Sequence, residues 1–95
     1  MLNLMAADIA LWREEKGFVT SKANMMEKLM LVVTEVSEAA EAVRHDNWEN
    51  FNEEIADTMI RLLDITGSLG IDIDMEINRK MSVNRGRPWR HGKLM

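Results

Sequence analysis

Four carboxylates form two pairs with the same spacing. Glu35 and Glu38 belong to the stretch TEVSEAAEA, and Glu54 and Asp57 belong to EEIADTMIRLLD. A spacing of three puts both members of a pair on one face of a helix, where like charges repel by about 0.2–0.5 kcal/mol. A bound cation would offset that repulsion. Oxygen ligands without Cys or His select hard ions, so the predicted cofactor is Mg²⁺, with Mn²⁺ as a possible substitute.

The surroundings of these carboxylates are apolar on a helical wheel. Glu35 and Glu38 lie on a stripe shared with Leu31 and Ala42, beside a face predicted to form the core. That face consists of Leu29, Val32, Val33, Val36, Ala39, Ala40 and Val43. Four carboxylates partly removed from water are costly unless they protonate or bind a cation.

The second pair of carboxylates has a possible ion-pair partner on its own helix. Glu54 and Asp57 lie at the margin of an apolar face, and Arg61 follows Asp57 at a spacing of four, which allows an ion pair on one helix. No such partner lies on the stripe of Glu35 and Glu38. The predicted apolar face of this helix consists of Phe51, Ile55, Leu62, Ile65 and Leu69.

A two- or three-residue turn, HDN at 45–47, separates the two acidic segments, so we expect them to pack as an antiparallel helical hairpin. Glu38 lies about seven residues before the turn and Glu54 about seven after it, which brings the carboxylates level. The alternative is a solvated acidic face at a subunit boundary. A di-iron site is disfavoured because it normally uses Glu-x-x-His pairs, and His45 is interpreted as a polar turn residue.

Four helices are expected to position these residues, at about 2–16, 23–44, 46–67 and 73–83. Gly17, Gly67 and Gly70 supply the predicted stops, and Asp46 is the predicted cap of the third helix. Asn24 with Glu27 resembles a capping box for the second. The fold class is therefore all-α, a single helical domain over residues 1–95 whose hairpin core is completed by homo-oligomerisation.

The length of 95 residues argues for that association, because a domain of this size buries only about 60–65% of its unfolded surface. No apolar run approaches the roughly 20 residues of a membrane span, so no membrane partner is expected. With no cysteine and no signal-type leader, a cytoplasmic protein is expected.

The basic residues are distributed unevenly. All 16 acidic side chains lie in residues 1–78, whereas six of the 12 Lys and Arg lie in residues 79–95. Lys80, Asn84 and Arg87 fall on roughly one side and suit phosphate oxygens. The same tail could contact nucleic acid or a partner subunit, although Trp89 favours packing over base stacking. Phe18 is a weak candidate for lining a pocket.

Together, EVSE, EEIAD and KMSVNRGRPWRHGK resemble the MazG-like all-α nucleoside triphosphate pyrophosphohydrolases over nearly the whole chain. Thr34 stands where the family often has its first Glu, so a ligand from that position is missing. The resemblance implies Mg²⁺-dependent conversion of a (d)NTP and water to (d)NMP and pyrophosphate, which cleans the nucleotide pool.

The family's roles carry over to matching residues. The metal ligands would be Glu35, Glu38, Glu54 and Asp57, with Glu35 or Glu38 orienting the attacking water. The substrate would be held by Lys80, Asn84, Arg87, Phe18 and Trp89. Dimers or dimers of dimers are implied, and no stable nucleic-acid complex is expected. The alternatives are a non-catalytic helical assembly module and a nucleotide-sensing module.

Overall fold

The computed structural model describes residues 1–87, which form four α-helices. These are α1 (Leu2–Glu15), α2 (Met25–Arg44), α3 (Trp48–Leu69) and α4 (Ile73–Arg85), with a 3₁₀ turn at Lys22–Asn24 before α2. No strand occurs within residues 1–87, so the all-α fold class is confirmed. Nor does any helix in that range combine the length and apolar character needed to cross a membrane.

The starts of α2 and α3 lie within two residues of the predicted positions, but the capping interactions differ from those predicted. The cap of α3 is Asn47, whose side chain accepts a hydrogen bond from the Asn50 amide at 3.1 Å. Asp46 instead occupies the turn with a φ of 53° and accepts a hydrogen bond from the Trp48 indole. The capping box before α2 pairs Ser21 with Asn24 rather than Asn24 with Glu27.

Of the two glycines predicted to stop α3, Gly70 is confirmed, whereas Gly67 lies inside the helix, which continues to Leu69. Gly70, with a φ of 68°, is its left-handed cap. Gly67 serves a different purpose: a Cβ there would lie 2.8 Å from the carbonyl carbon of Ala6 and closer still to the oxygen. The absent side chain lets α1 and α3 cross in contact.

Helices α1 and α4 cap each other. The Asp74 carboxylate accepts hydrogen bonds from the Leu2 and Asn3 amides at 3.0 and 3.1 Å. In return, the Asn3 side-chain oxygen accepts hydrogen bonds from the Ile73 and Asp74 amides at 2.9 and 3.2 Å. Each helix thus satisfies amides that have no partner within the other. The arrangement fixes the start of α4 against α1.

The buried carboxylate of Asp64 holds the segment between α1 and α2 in place through hydrogen bonds. Asp64, only 3% exposed, accepts hydrogen bonds from Thr20 at 2.7 Å, Arg13 at 3.2 Å and Ser68 at 3.2 Å. The Arg13 guanidinium in turn lies 4.5 Å from the centre of the Phe18 ring. This network accounts for the charge of Asp64 without a metal.

The core is built largely from small residues, with α3 packed on both α1 and α2. Its buried apolar members are Ala6, Ala39, Ala42, Leu63 and Ile65. The predicted core face of α2 is mostly wrong for one chain, because Leu29, Val33, Val36 and Val43 are exposed. Glu35, Ala39 and Ala42 are the buried residues of α2.

The α1–α3 crossing gives a direct test of the fold. We expect Gly67→Ala to lower the free energy of unfolding by about 1–3 kcal/mol, since the added methyl group meets the Ala6 backbone. Gly86→Ala is the matched control, because a Cβ there meets no atom closer than 3.6 Å. Urea unfolding followed by circular dichroism measures both, and equal midpoints for the two variants would contradict the close crossing.

Candidate metal centre

Three of the four predicted ligands come together across α2 and α3. One carboxylate oxygen from each of Glu35, Glu38 and Glu54 lies within 4.8 Å of the other two. Glu35 is buried, Glu54 is half-buried and Glu38 is exposed. The cluster therefore has an inner end between the helices and an outer end open to solvent.

The small residues of α2 explain how the carboxylates meet. Ala39 and Ala42 are 4% and 3% exposed, and they follow Glu35 by four and seven residues, on the same side of the helix. They put the side of α2 that carries Glu35 against α3. Since methyl side chains permit a close approach of the two backbones, the longer glutamates can reach across.

Arg61 of α3 is the main partner of Glu35. Its Nε lies 3.3 Å from the Glu35 Oε1, and both side chains are mostly buried, at 28% and 11% exposed. The alternative ion pair of Arg61 with Asp57, which the spacing of four allows, does not form among the described residues. The packing of α2 on α3 offers Arg61 a less solvated carboxylate than its own helix does, so the interhelical pair forms.

Glu54 has the most perturbed environment in the cluster. Proximity to Glu38, which can share a hydrogen bond with a protonated Glu54, raises its pKa most; burial and proximity to Glu35 raise it further. The pKa reaches about 7, compared with an ordinary 4.5. Its Oε2 is buried and has no hydrogen-bond partner among the described residues. A proton or a cation at this oxygen would satisfy it.

The donor set fits a hard divalent cation. Three carboxylates present only oxygens, and the unpartnered Glu54 oxygen is a ligand position that the protein itself leaves open. Asp57, the fourth predicted ligand, is exposed and is not a member of the group. Glu35, Glu38 and Glu54 are the residues that would hold the ion.

A small cavity of about 210 Å³ adjoins the outer end of the cluster. Its lining includes Glu38, Glu41, His45, Asn50 and Glu54. The Nε2 atom of His45 lies within hydrogen-bond distance of the Glu41 Oε1 atom, at 2.9 Å. This contact agrees with the interpretation of His45 as a polar turn residue. Asn50 was not predicted as a site residue. Its position four residues before Glu54, one turn earlier on α3, is the sequence signal that could have indicated it.

The predicted substrate-binding residues lie elsewhere in the chain. Phe18 lines a separate pocket of about 440 Å³ with residues of α1, Gly67 and Ser68. Lys80 and Arg87 are exposed, and the side-chain oxygen of Asn84 is buried with no hydrogen-bond partner in the described residues. Helix α4, which carries Lys80 and Asn84, packs mainly on α1. Trp89 lies outside the described residues.

Comparison with protein-family models, with curated proteins and with solved structures gives no match to this chain. The resemblance to MazG-like enzymes therefore stays a prediction from the residues quoted above.

The raised pKa of Glu54 predicts how stability depends on pH without metal. A carboxyl group whose pKa is higher in the folded than in the unfolded state loses stability as pH rises from about 4.5 to about 7, because the unfolded chain releases its proton first. We expect Glu54→Gln to gain stability relative to wild type across this window. Urea unfolding in EDTA from pH 4.5 to 8 measures the difference.

The neighbouring, exposed Glu53 supplies the control for this experiment. Glu53→Gln should follow the wild-type pH profile, since its carboxylate lies outside the cluster. A Glu54→Gln profile parallel to wild type would contradict the interaction among the three glutamates.

Proposed function

We propose that this protein is a Mg²⁺-dependent nucleoside triphosphate pyrophosphohydrolase of the MazG-like family, converting a (d)NTP and water to (d)NMP and pyrophosphate. The observation that carries the proposal is the convergence of Glu35, Glu38 and Glu54, with a buried oxygen of Glu54 left without a partner. We further propose a cytoplasmic role in cleaning the nucleotide pool, as the family resemblance implies.

The pairing of residues across α2 and α3 supports an antiparallel hairpin as the scaffold. Glu35 contacts Arg61, whereas Glu38 lies beside Glu54. A later residue of α2 thus meets an earlier residue of α3, as expected for antiparallel neighbours joined by a short turn. Residues 45–47 are the entire connection between the helices.

Under this proposal Glu35, Glu38 and Glu54 would hold Mg²⁺, which when bound would neutralise charge on the triphosphate and lower the pKa of a water molecule. The three glutamates differ in what they can do. Glu35 is fixed by Arg61, so it positions the site. Glu38 is the exposed member and borders the cavity, so it can accept the proton of a water that attacks the α-phosphorus.

The bond broken is the one between the α-phosphorus and the oxygen that bridges it to the β-phosphate, and pyrophosphate leaves with that oxygen. Because the pKa of Glu54 is raised to about 7, any proton on its carboxyl group would have to be released for Glu54 to serve as a ligand. Loss of that proton exposes a third negative charge to a cation, which strengthens binding.

The residues proposed to contact substrate are Lys80, Asn84 and Arg87 for phosphate and Phe18 and Trp89 for the base. Because α4 packs mainly on α1, we propose that a second subunit brings these groups to the glutamates of the first. Guanidinium and ammonium groups would then stabilise the negative charge of the leaving pyrophosphate. The nucleotide is proposed to be a deoxynucleotide.

One observation favours a non-catalytic role, in assembly or nucleotide sensing. The Arg61 guanidinium already forms an ion pair with Glu35 without any metal ion. Such a module would show no turnover. Thermal unfolding with and without Mg²⁺ and nucleotide separates these options: a ligand-dependent rise in midpoint without product indicates a sensor, and no shift indicates an assembly module.

A panel of nucleoside triphosphates with Mg²⁺, analysed for monophosphate and pyrophosphate, tests the proposed reaction. We expect Glu38→Gln to lower the rate at least about 100-fold while the protein stays folded, because it removes a proton acceptor and a metal ligand. Glu53→Gln is the control and should keep the wild-type rate. Hydrolysis by Glu38→Gln at the wild-type rate would contradict the assignment, and absence of pyrophosphate with every nucleotide would contradict the reaction.

A further inference from the structure

Arg61 supplies the only positive charge that pairs with the glutamate cluster within residues 1–87. Its Nε lies 3.3 Å from the Glu35 Oε1, and the other ion pairs in this range involve different carboxylates. A guanidinium group keeps its charge at every physiological pH. The charge of Arg61 is therefore a permanent part of the site.

The contact between Arg61 and Glu35 lies at the inner end of the cluster. The two side chains are 28% and 11% exposed, whereas Glu38 at the outer end is exposed. Arg61 follows Glu54 by seven residues, or two helical turns, so both lie on the side of α3 that faces α2. The two helices thus bring together one repulsive pair, Glu38 with Glu54, and one attractive pair, Glu35 with Arg61.

The guanidinium changes the charge that a cation would meet. Three ionised carboxylates and one guanidinium carry a net charge of minus two, which one divalent cation would balance. Without the guanidinium the same cluster would carry minus three. Arg61 thus lowers the attraction of the cluster for a cation. It also stabilises the cluster without a cation, because a mostly buried carboxylate is costly without a partner.

Arg61 has two opposing effects on cation binding. By orienting Glu35 it favours binding, and loss of a partner that orients a ligand typically lowers metal affinity about 10–100-fold. By repelling the cation it disfavours binding. A unit charge about 6 Å from a dication, roughly the span of one shared carboxylate, changes the affinity about 10⁴-fold at an effective dielectric constant of about 20. Repulsion is the larger effect by these estimates, so removal of the charge should tighten binding.

We propose that Arg61 is a built-in counter-cation of the candidate metal centre, which pairs with Glu35 when no metal ion is bound and weakens the binding of free Mg²⁺. The inference rests on the proposed function, since it concerns the metal ion of that reaction. Mg²⁺ is usually held by one or two carboxylates together with phosphate oxygens of the substrate. A site that binds the free ion weakly therefore takes it up with the nucleotide and releases it with the products.

Calorimetric titration with Mn²⁺ alone, without nucleotide and at pH 8, tests this role. That pH lies above the raised pKa of Glu54, about 7. We expect Arg61→Gln to bind Mn²⁺ at least about tenfold more tightly than wild type, because the repulsion is gone. In EDTA the same variant should unfold at a lower urea concentration than wild type, because Glu35 has lost its partner.

Two further variants serve as controls for the charge. Arg61→Lys keeps the positive charge and should bind Mn²⁺ within about threefold of wild type. Arg79→Gln removes the same charge from an ion pair with Glu76 inside α4, and it should bind Mn²⁺ as wild type does.

Tighter binding together with lower stability is the pattern that separates a counter-cation from a merely structural residue, whose loss would lower both. Mn²⁺ binding by Arg61→Gln at wild-type or lower affinity would overturn the inference, and the proposed function would survive if wild type binds Mn²⁺ and hydrolyses a nucleotide. Absence of binding by both proteins at millimolar Mn²⁺ would overturn the inference and the proposed metal centre together.

If Arg61→Gln does not fold, a second pair of variants gives the answer. Glu35→Gln removes the carboxylate that would otherwise be left without a partner. The double variant Glu35→Gln/Arg61→Gln then differs from it only in the side chain at position 61. We expect the double variant to bind Mn²⁺ at least about tenfold more tightly than Glu35→Gln alone. Equal or weaker binding by the double variant would contradict the role of Arg61.

Discussion

The side chains that helix α2 buries most completely are small or acidic. Glu35, Ala39 and Ala42 are the buried residues of α2, whereas Val33 and Val36 face outward. This choice of face has two consequences. It puts carboxylates between the helices, where charge needs compensation, and it leaves an apolar surface exposed, where burial is still available.

The buried carboxylates and the exposed apolar surface would be stabilised in different ways. On the inner side, Arg61 compensates Glu35, but Glu54 is left with a pKa raised to about 7, mainly by Glu38, and with a buried oxygen lacking a partner. A divalent cation suits this position because it can contact several carboxylates at once. On the outer side, the homo-oligomer expected from the sequence would bury exposed apolar residues such as Val33 and Val36. Both additions would stabilise the same pair of helices.

Periodicity and turn residues were sufficient to predict four helices, since these depend on local spacing. The short turn at 45–47 also predicted that Glu38 and Glu54 come level, although Asp57, predicted as a ligand with them, lies outside the group. Features that depend on packing between helices were not predictable in the same way. Gly67 looks like a helix stop in sequence but permits the crossing with Ala6. Arg61 has a partner of suitable spacing in Asp57, yet binds Glu35 across the helices. The helical wheel identified an apolar face on α2. It could not show whether that face packs against other helices of the same chain, and most of it does not.

The most direct test of the metal centre is a crystal grown or soaked with Mn²⁺, examined for anomalous scattering. The account predicts a manganese peak among the carboxylate oxygens of Glu35, Glu38 and Glu54, and its loss in Glu54→Gln. Diffraction that resolves all three glutamates but shows no peak among them, with Mn²⁺ at millimolar concentration near neutral pH, would contradict the central claim.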